Sequence, residues 1–294
     1  MHKRVVFRSW WLPFALVTPQ VAITLVFFIW PSYRALESSL FLEDVFGFSR
    51  NFVWFENFTR LFADPVYVAA FWRSILFGFA VTAISMGLAL VLALAANRVL
   101  RSALAYRTLL IWPYAVAPAI AGVLWFFMMN PQLGIVAYWL EAAFGVNWNH
   151  YVNGTQALLM VIIAAAWQQI SYNFLFFLAG LQSIPKSMIE AAAIDGASPS
   201  RRFWTIVMPL LSPTTFFLLV VNLVNAFFNS FGIIHATTGG GPANATNILV
   251  YQVYATGFIG QDYGSSAAQS VILMALVIGM TVIQFRYIER RVNY

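Results

Sequence analysis

Six long apolar runs constrain the fold more than any other feature of this sequence. They lie at about 11–31, 73–97, 108–129, 156–181, 213–234 and 265–286. A helix needs about 20 apolar residues to cross the hydrocarbon core of a bilayer. Only 9% of the residues are charged, against roughly 25% in a typical soluble domain, so the chain cannot cover itself with polar surface. We therefore predict an all-α membrane protein, one domain over residues 1–294, with six transmembrane helices.

Lysine and arginine between the runs indicate the orientation. The N-terminal segment, the second and fourth loops and the C-terminal tail each carry three: Lys3, Arg4, Arg8; Arg98, Arg101, Arg107; Lys186, Arg201, Arg202; and Arg286, Arg290, Arg291. The third and fifth loops carry none. Because basic loops stay on the cytoplasmic side, both termini and the fourth loop are predicted to be cytoplasmic. Topology thus accounts for the net charge of +6, and no nucleic-acid partner is expected.

In the fourth loop, about 184–212, the residues that usually begin and end helices are spaced as in two short helices. Pro185 suits the first position of one helix, and Gly196 suits a left-handed corner at its end. Ser198 and Pro199 suit the cap and the first position of a second helix. We therefore predict a helix, a tight corner and a second helix between two membrane spans.

The amino-acid sequence of this loop resembles a known motif, the EAA loop of the membrane subunits of ABC importers. The matching positions are Glu190, Ala191, Ala192, Gly196, Ile206 and the pair Met208-Pro209, where leucine is usual in place of methionine. The resemblance implies a type I ABC importer permease fold, in which residues 184–212 couple the permease to an ATPase. The coupling residues that it implies are Glu190, Ala191, Ala192, Asp195 and Gly196.

The same resemblance implies the partners and the location. They are a second, homologous permease, two ATPase subunits, a periplasmic solute-binding protein and the lipid of a bacterial inner membrane that the chain crosses several times. The chain itself would hold no catalytic residue and no cofactor, because ATP and Mg²⁺ bind the ATPase subunits. No GxxxxGK[ST] sequence occurs, so a P-loop of its own is excluded.

Polar side chains inside two of the runs indicate a solute path. The fourth run has Gln168, Gln169, Ser171, Tyr172 and Asn173 near its centre, and the fifth has Asn222, Asn225 and Asn229 within about 60° of one another on one helix face. Polar groups at this depth tend to face a cavity or another helix. The candidate path residues are Gln168, Tyr172, Asn173, Asn222, Asn225, Asn229 and Arg73. Hydrogen bonding between helices is the alternative for this set.

Runs along most of the chain resemble the permeases of bacterial sn-glycerol-3-phosphate importers. They are 46–49, 113–119, 148–150, 171–177, 181–185, 216–222, 265–271 and 284–287. This resemblance implies sn-glycerol 3-phosphate as the solute. No lysine or arginine lies in the interior of a run, and Arg73 at the outer end of the second run is the nearest candidate for the phosphate. A neutral sugar or polyol is therefore the alternative solute.

Three local patterns refine this picture. Pro113 and Pro118 are expected to bend the third span, since proline frees helix carbonyls. Residues 57–62 suit a short helix at the membrane interface, and 237–242 suit a flexible corner. The chain has no cysteine and no His/Asp/Glu cluster with ligand spacing, so no metal site is predicted. An ATP-independent channel and an intramembrane serine protease are remote alternatives.

Overall fold

The computed structural model describes residues 11–43, 49–98 and 108–288. Part of one resemblance run, residues 46–48, lies outside these ranges. So do seven of the basic residues that predict the orientation: Lys3, Arg4, Arg8, Arg101, Arg107, Arg290 and Arg291. Most of the basic residues that predict the orientation belong to this group. The cytoplasmic placement of both termini accordingly stays a prediction.

The described residues are almost entirely helical. In chain order the elements are α1 Trp11–Ser38, β1 Phe41–Glu43, β2 Arg50–Phe52, α2 Glu56–Ala63, α3 Pro65–Arg98, α4 Thr108–Ala115, α5 Pro118–Met128, α6 Ile135–Phe144, α7 Gly154–Ser183, α8 Lys186–Ile194, α9 199–210, α10 Ser212–Phe228, α11 Phe231–Thr237, α12 Leu249–Ile259 and α13 Tyr263–Ile288. Five stretches are long and apolar enough to span a membrane: α1, α3, α7, α10 with α11, and α13. The pair α4 and α5 makes a sixth if it is one broken span.

The helices extend beyond the apolar runs from which they were predicted. The first continues from residue 31 to Ser38, and the second begins at Pro65 instead of residue 73. Hydropathy detects only the part of a helix that lies in hydrocarbon, whereas backbone hydrogen bonds continue into the polar headgroup layer. The helix ends therefore differ from the predicted limits, and the predicted number of six spans is reached when the bent pair α4 and α5 is counted as one span.

The chain divides into two compact units, residues 1–63 with 253–272 and residues 64–252 with 273–294. In the first unit β1 and β2 form an antiparallel pair, in which Arg50 bridges Glu37 and Glu43 at 3.2 and 2.9 Å. The Asn57 amide donates to the carbonyls of Ser39 and Phe41, both at 2.9 Å. These contacts fix α2, the short helix predicted for residues 57–62.

The core of the second unit forms where α3, α7 and α10 pack together. Its buried side chains are Ala89, Ala93, Ala96, Phe174, Phe177, Leu178, Leu181, Ile184, Val207, Leu211 and Leu218. The small alanines of α3 let α7 approach closely. A similar close approach joins α5 to α11, where a Cβ on Gly122 would lie 3.1 Å from the Ile233 backbone. These contacts fix the helices around a polar cavity.

The predicted bend in the third span is a sharp break. The axes of α4 and α5 differ by 110°. Val116 and Ala117 between them are extended, with ψ of 129° and 143°, and Pro118 begins α5. Proline disfavours the helical conformation in the residue before it, which places the break at Ala117.

Candidate functional site

A cavity of about 280 Å³ lies between the broken span and the helices α7, α10 and α11. Its lining residues are Tyr114, Pro118, Ala165, Gln168, Gln169, Tyr172, Val221, Asn222, Asn225, Asn229, Ser230 and Ile233. The volume is close to the lower end of the roughly 300–1,000 Å³ that is usual for small-molecule sites. Every polar group in this lining is an amide, a phenol or a hydroxyl, and none of the lining residues is charged.

Five of the seven predicted path residues meet in this cavity: Gln168, Tyr172, Asn222, Asn225 and Asn229. Asn173 and Arg73 are not among the lining residues. The sequence prediction omitted Tyr114, Gln169 and Ser230 from its candidates. Gln169 and Ser230 directly follow the predicted path residues Gln168 and Asn229. Their polar side chains within apolar runs were the signal that could have identified them.

Asn173 serves a contact between helices. Its amide nitrogen donates to Asn222 Oδ1 at 2.8 Å, and the Asn222 amide donates back to Asn173 Oδ1 at 2.5 Å. Asn222 also donates to the Leu218 carbonyl at 2.7 Å and accepts from the Ser85 hydroxyl at 3.2 Å. For this pair the structure shows the hydrogen bonding between helices that stood as the alternative to a solute path.

Other amides in the lining are also engaged. The Gln168 side chain donates to the carbonyl of Val116, a group that the break in the third span leaves without a helical partner. The Asn229 amide donates to Asn225 Oδ1 at 2.9 Å. Gln169 differs, because its Oε1 is buried and has no hydrogen-bond partner among the described residues.

Aromatic rings form another part of the lining. The rings of Tyr114 and Tyr172 stack with their centroids 5.8 Å apart, and Tyr172 also contacts Phe176 at 4.7 Å. Two of these rings, from α4 and α7, therefore offer an apolar surface beside the amides. Such a combination suits a solute that carries both hydroxyl groups and carbon–hydrogen faces.

Arg73 contacts a loop and does not line the cavity. Its Nη1 donates to the Asn247 carbonyl at 3.0 Å, and the next residue, Ser74, accepts at its hydroxyl from the Leu249 backbone amide at 2.7 Å. These bonds join α3 to the chain that enters α12. Arg73 therefore holds a loop in place within the second unit.

The loop that Arg73 holds differs from the flexible corner predicted for residues 237–242. The hydroxyl of Thr246 donates to the Gly241 carbonyl at 2.8 Å and lies 2.7 Å from the Thr238 hydroxyl. Gly239 and Gly240 have φ of 55° and 84°, which glycine adopts at little cost. The glycines here permit a tight, hydrogen-bonded loop, because a left-handed backbone can be as ordered as any other.

The predicted coupling segment has the predicted helix, corner and helix. Gly196 has a φ of 80°, and its amide donates to the Ala193 carbonyl at 3.1 Å. The Ala197 amide donates to Ala192 at 2.9 Å, which completes the bond pair of a Schellman ending. Ser198 caps α9 by accepting from the Arg201 amide at 3.3 Å. Pro185 precedes α8 as its cap, one position before the place predicted for it.

This segment presents an unusual surface. Glu190, Ala191, Asp195 and Gly196 are exposed, and Ala192 is half-buried. Apolar side chains beside them are exposed as well: Ile194 (87%), Trp204 (64%) and Met188 (46%). Glu190 forms no ion pair within the described part of the chain. Exposed apolar side chains around a carboxylate are typical of a surface that binds another protein.

The described histidines, His150 and His235, and the serine Ser266 make structural contacts. His150 is buried against Phe126 and accepts from the Trp148 indole at 3.3 Å, and this burial lowers the pKa of His150. The Ser266 hydroxyl donates to the Val253 carbonyl at 2.8 Å, while His235 stacks on Phe231. No group of three His, Cys, Asp or Glu side chains that could hold a metal occurs in the residues described.

Apolar spans, a broken helix beside a polar cavity and an exposed segment between two spans are typical of membrane transport permeases. Within that class, residues 3–294 match the family of binding-protein-dependent transport system inner membrane components, and the chain belongs to this family. It is therefore a membrane subunit of an ABC importer, as the EAA loop indicated.

Two similar proteins extend over the full chain. The sn-glycerol-3-phosphate transport system permease protein UgpA of Rhizobium meliloti (strain 1021) is 58% identical over 292 residues, covering 99% of each chain. The protein of the same name from Brucella suis biovar 1 (strain 1330) is 57% identical with equal coverage. The resemblance to this type of permease, stated from sequence runs alone, is confirmed.

A solved structure supports the fold. A chain of a bacterial alginate ABC transporter, in complex with an alginate pentasaccharide-bound periplasmic protein, superposes with a TM-score of 0.78. The match covers 93% of this chain and 92% of that one at 20% identity. At this identity the likeness concerns the fold, and it agrees with the predicted all-α type I permease.

Proposed function

We propose that this chain is one of two permeases in an ATP-driven importer of sn-glycerol 3-phosphate in a bacterial inner membrane. The observation that carries the proposal is the identity of 58% over 99% of the chain to a protein named for that transport. The family description supports the inner membrane as the location. A periplasmic binding protein as partner is supported by the complex in which the alginate transporter was solved.

The geometry suggests how the permease works. Solute released by the binding protein enters the cavity between the broken span and α7, α10 and α11. Two ATPase subunits, which hold ATP and Mg²⁺, dock on the exposed segment of this chain and on its counterpart in the second permease. Closure of the ATPase pair moves α8 and α9, and the helices attached to them rock about the cavity. The chain carries out no bond chemistry.

A neutral sugar or polyol is the second candidate solute. The observation in its favour is the cavity lining, in which no residue is charged. Anion sites usually employ arginine, lysine or helix N-termini. Under the main proposal the second permease or the binding protein supplies the groups that recognise the phosphate.

Uptake by the reconstituted importer distinguishes between the two candidate solutes. This chain is co-purified with the second permease and the ATPase, placed in liposomes with ATP inside, and supplied with the binding protein. We expect uptake of labelled sn-glycerol 3-phosphate that requires ATP and exceeds uptake of glycerol and of a neutral disaccharide. Preferred uptake of a neutral solute would replace the proposed solute by the second candidate.

A further inference from the structure

A second cavity, of about 220 Å³, lies where the spans α3 and α7 meet the coupling segment. It shares no lining residue with the cavity described above. Asn97 and Arg202 are its polar lining residues, and its other side chains are apolar. Because α3 ends at Arg98 and α7 ends at Ser183, this cavity lies at the ends of two spans. The headgroup layer of a bilayer lies at the same depth.

Arg202 is the charged residue of this lining, and no described residue neutralises it. Its side chain forms no ion pair within the described part of the chain, and its buried Nε has no hydrogen-bond partner there. The side chain as a whole is half-buried, and its two Nη nitrogens remain accessible. A partly desolvated charge without a counter-charge costs free energy. An anion that reaches the Nη nitrogens offsets that cost.

The sequence leaves few acidic residues that could pair with Arg202. Residues 99–107, which follow the end of α3, include no aspartate or glutamate. Outside the described ranges only Asp44 and Glu289 are acidic. Asp44 belongs to the first loop, on the predicted opposite side of the membrane from Arg202. Glu289 in the C-terminal tail is therefore the residue of this chain that an experiment has to test as a partner.

The walls of the cavity narrow the chemistry of the anion. Leu94, Ile189 and Phe203 pack against the buried core and give the cavity an apolar surface beside its cation. A guanidinium pairs well with the oxygens of a phosphate group. A free phosphate ion has no part that suits the apolar walls, whereas a phospholipid joins a phosphate to acyl chains. Basic pockets between membrane helices bind anionic headgroups in this way.

We propose that this cavity binds the phosphate of an anionic phospholipid through Arg202, in the leaflet where α3 and α7 end. The Asn97 amide, which also lines the cavity, is the second donor for the phosphate oxygens. The bound lipid then contacts the ends of two spans together with α8 and α9. It is a site for a molecule that is not transported, so it does not depend on which solute the importer takes.

Photocrosslinking in the purified importer tests this site. A photoactivatable phosphatidylglycerol is added to the lipid-depleted complex, and crosslinked peptides are identified and quantified by mass spectrometry. The variants are Arg202→Gln, Arg202→Lys, Glu289→Gln and the matched control Arg201→Gln. Arg201 carries the same charge one residue away, but it is exposed and does not line the cavity. Unlabelled phosphatidylglycerol, phosphatidylcholine and inorganic phosphate serve as competitors.

We expect the wild type to crosslink within the peptides that line this cavity. Arg202→Gln should lower that crosslinking about tenfold, as for loss of a charged hydrogen-bond donor. Arg202→Lys should retain most of it because the charge remains, and Arg201→Gln and Glu289→Gln should stay within about twofold of the wild type. Phosphatidylglycerol should compete at least about tenfold more strongly than phosphatidylcholine or inorganic phosphate.

Several outcomes would overturn the inference. An equal loss in Arg201→Gln and Arg202→Gln would indicate general surface charge, and a severalfold rise in Glu289→Gln would indicate that Glu289 neutralises Arg202. Equal competition by inorganic phosphate would make the ligand a soluble anion. Loss of the ATPase from the purified Arg202→Gln complex would assign Arg202 to a contact between subunits. A wild type without crosslinks in this cavity would also end the proposal. None of these results depends on uptake, so the proposed function would stand in each case.

Discussion

At the scale of single residues, Gly196 allows the sharpest test of the coupling segment. Its φ is 80°, and a Cβ added there would meet no atom within 4 Å, so a side chain adds backbone strain without a clash. That strain is about 1–2 kcal/mol. We expect Gly196→Leu to remain in the membrane and to lose ATP-driven uptake, because the angle between α8 and α9 changes. Uptake and membrane abundance are the measurements.

Gly145 provides the matched control for this prediction. It ends α6 with a φ of 66°, and a Cβ there would likewise meet nothing within 4 Å. Gly145→Leu therefore introduces similar strain away from the coupling segment. It should lower the thermal stability of the purified complex to a similar extent while uptake persists. Equal loss of uptake in both variants would mean that strain alone, and not the corner, explains the effect.

Arg73 leads to a second prediction at this scale. Because its guanidinium donates to the Asn247 carbonyl and it does not line the cavity, Arg73→Gln should leave the KM for sn-glycerol 3-phosphate unchanged. Loss of a hydrogen bond from a charged donor should lower the stability by about 1.5–3 kcal/mol. Uptake kinetics and thermal unfolding in detergent check both parts. A raised KM at unchanged stability would return Arg73 to phosphate recognition.

At the scale of secondary-structure elements, one side chain from α7 contacts the break between α4 and α5. Gln168 donates to the Val116 carbonyl, which has no helical partner because the chain turns there. Gln168→Glu keeps the size but removes the donor and sets a carboxylate against a carbonyl. We expect lower thermal stability and slower uptake of every solute. Stability and uptake equal to those of the wild type would remove Gln168 from this role.

The elements themselves were largely predictable. Apolar runs predicted the spans, Pro118 predicted the break, and Gly196 with Ser198 predicted the corner, because each signal is local in sequence. The partners of polar side chains were not predictable in this way. Asn173 pairs with a residue 49 positions away, and Arg73 with one 174 positions away.

The physical reason is that these spans are apolar on nearly every side. In a soluble helix the polar face indicates which side is turned outward, but α3 and α7 carry apolar residues all around. Their rotation about their own axes is therefore set by packing against other helices. That rotation turns Gln168, Gln169 and Tyr172 toward the cavity, while Asn173, one helical turn after Gln169, pairs with Asn222 of α10. Sequence reasoning could select the polar set but could not divide it between solute and helix contacts.

At the scale of the whole molecule, we expect the coupling segment to bind a partner subunit. Glu190 is exposed and forms no ion pair in the described residues, and Ile194 and Trp204 beside it are exposed as well. Removing an exposed, unpaired carboxylate should change the stability of the chain by less than about 0.5 kcal/mol. Any larger consequence of Glu190→Ala must therefore arise at a contact with another subunit.

Co-purification measures that contact. A tagged chain taken from its native membrane should carry the ATPase and the second permease with it, and Glu190→Ala should lose or loosen the ATPase while the second permease remains. Glu141→Ala is the matched control, because Glu141 is an exposed glutamate on α6, outside the coupling segment. It should retain both partners. If Glu190→Ala kept its ATPase, or lost stability on its own, docking at this segment would have to be given up.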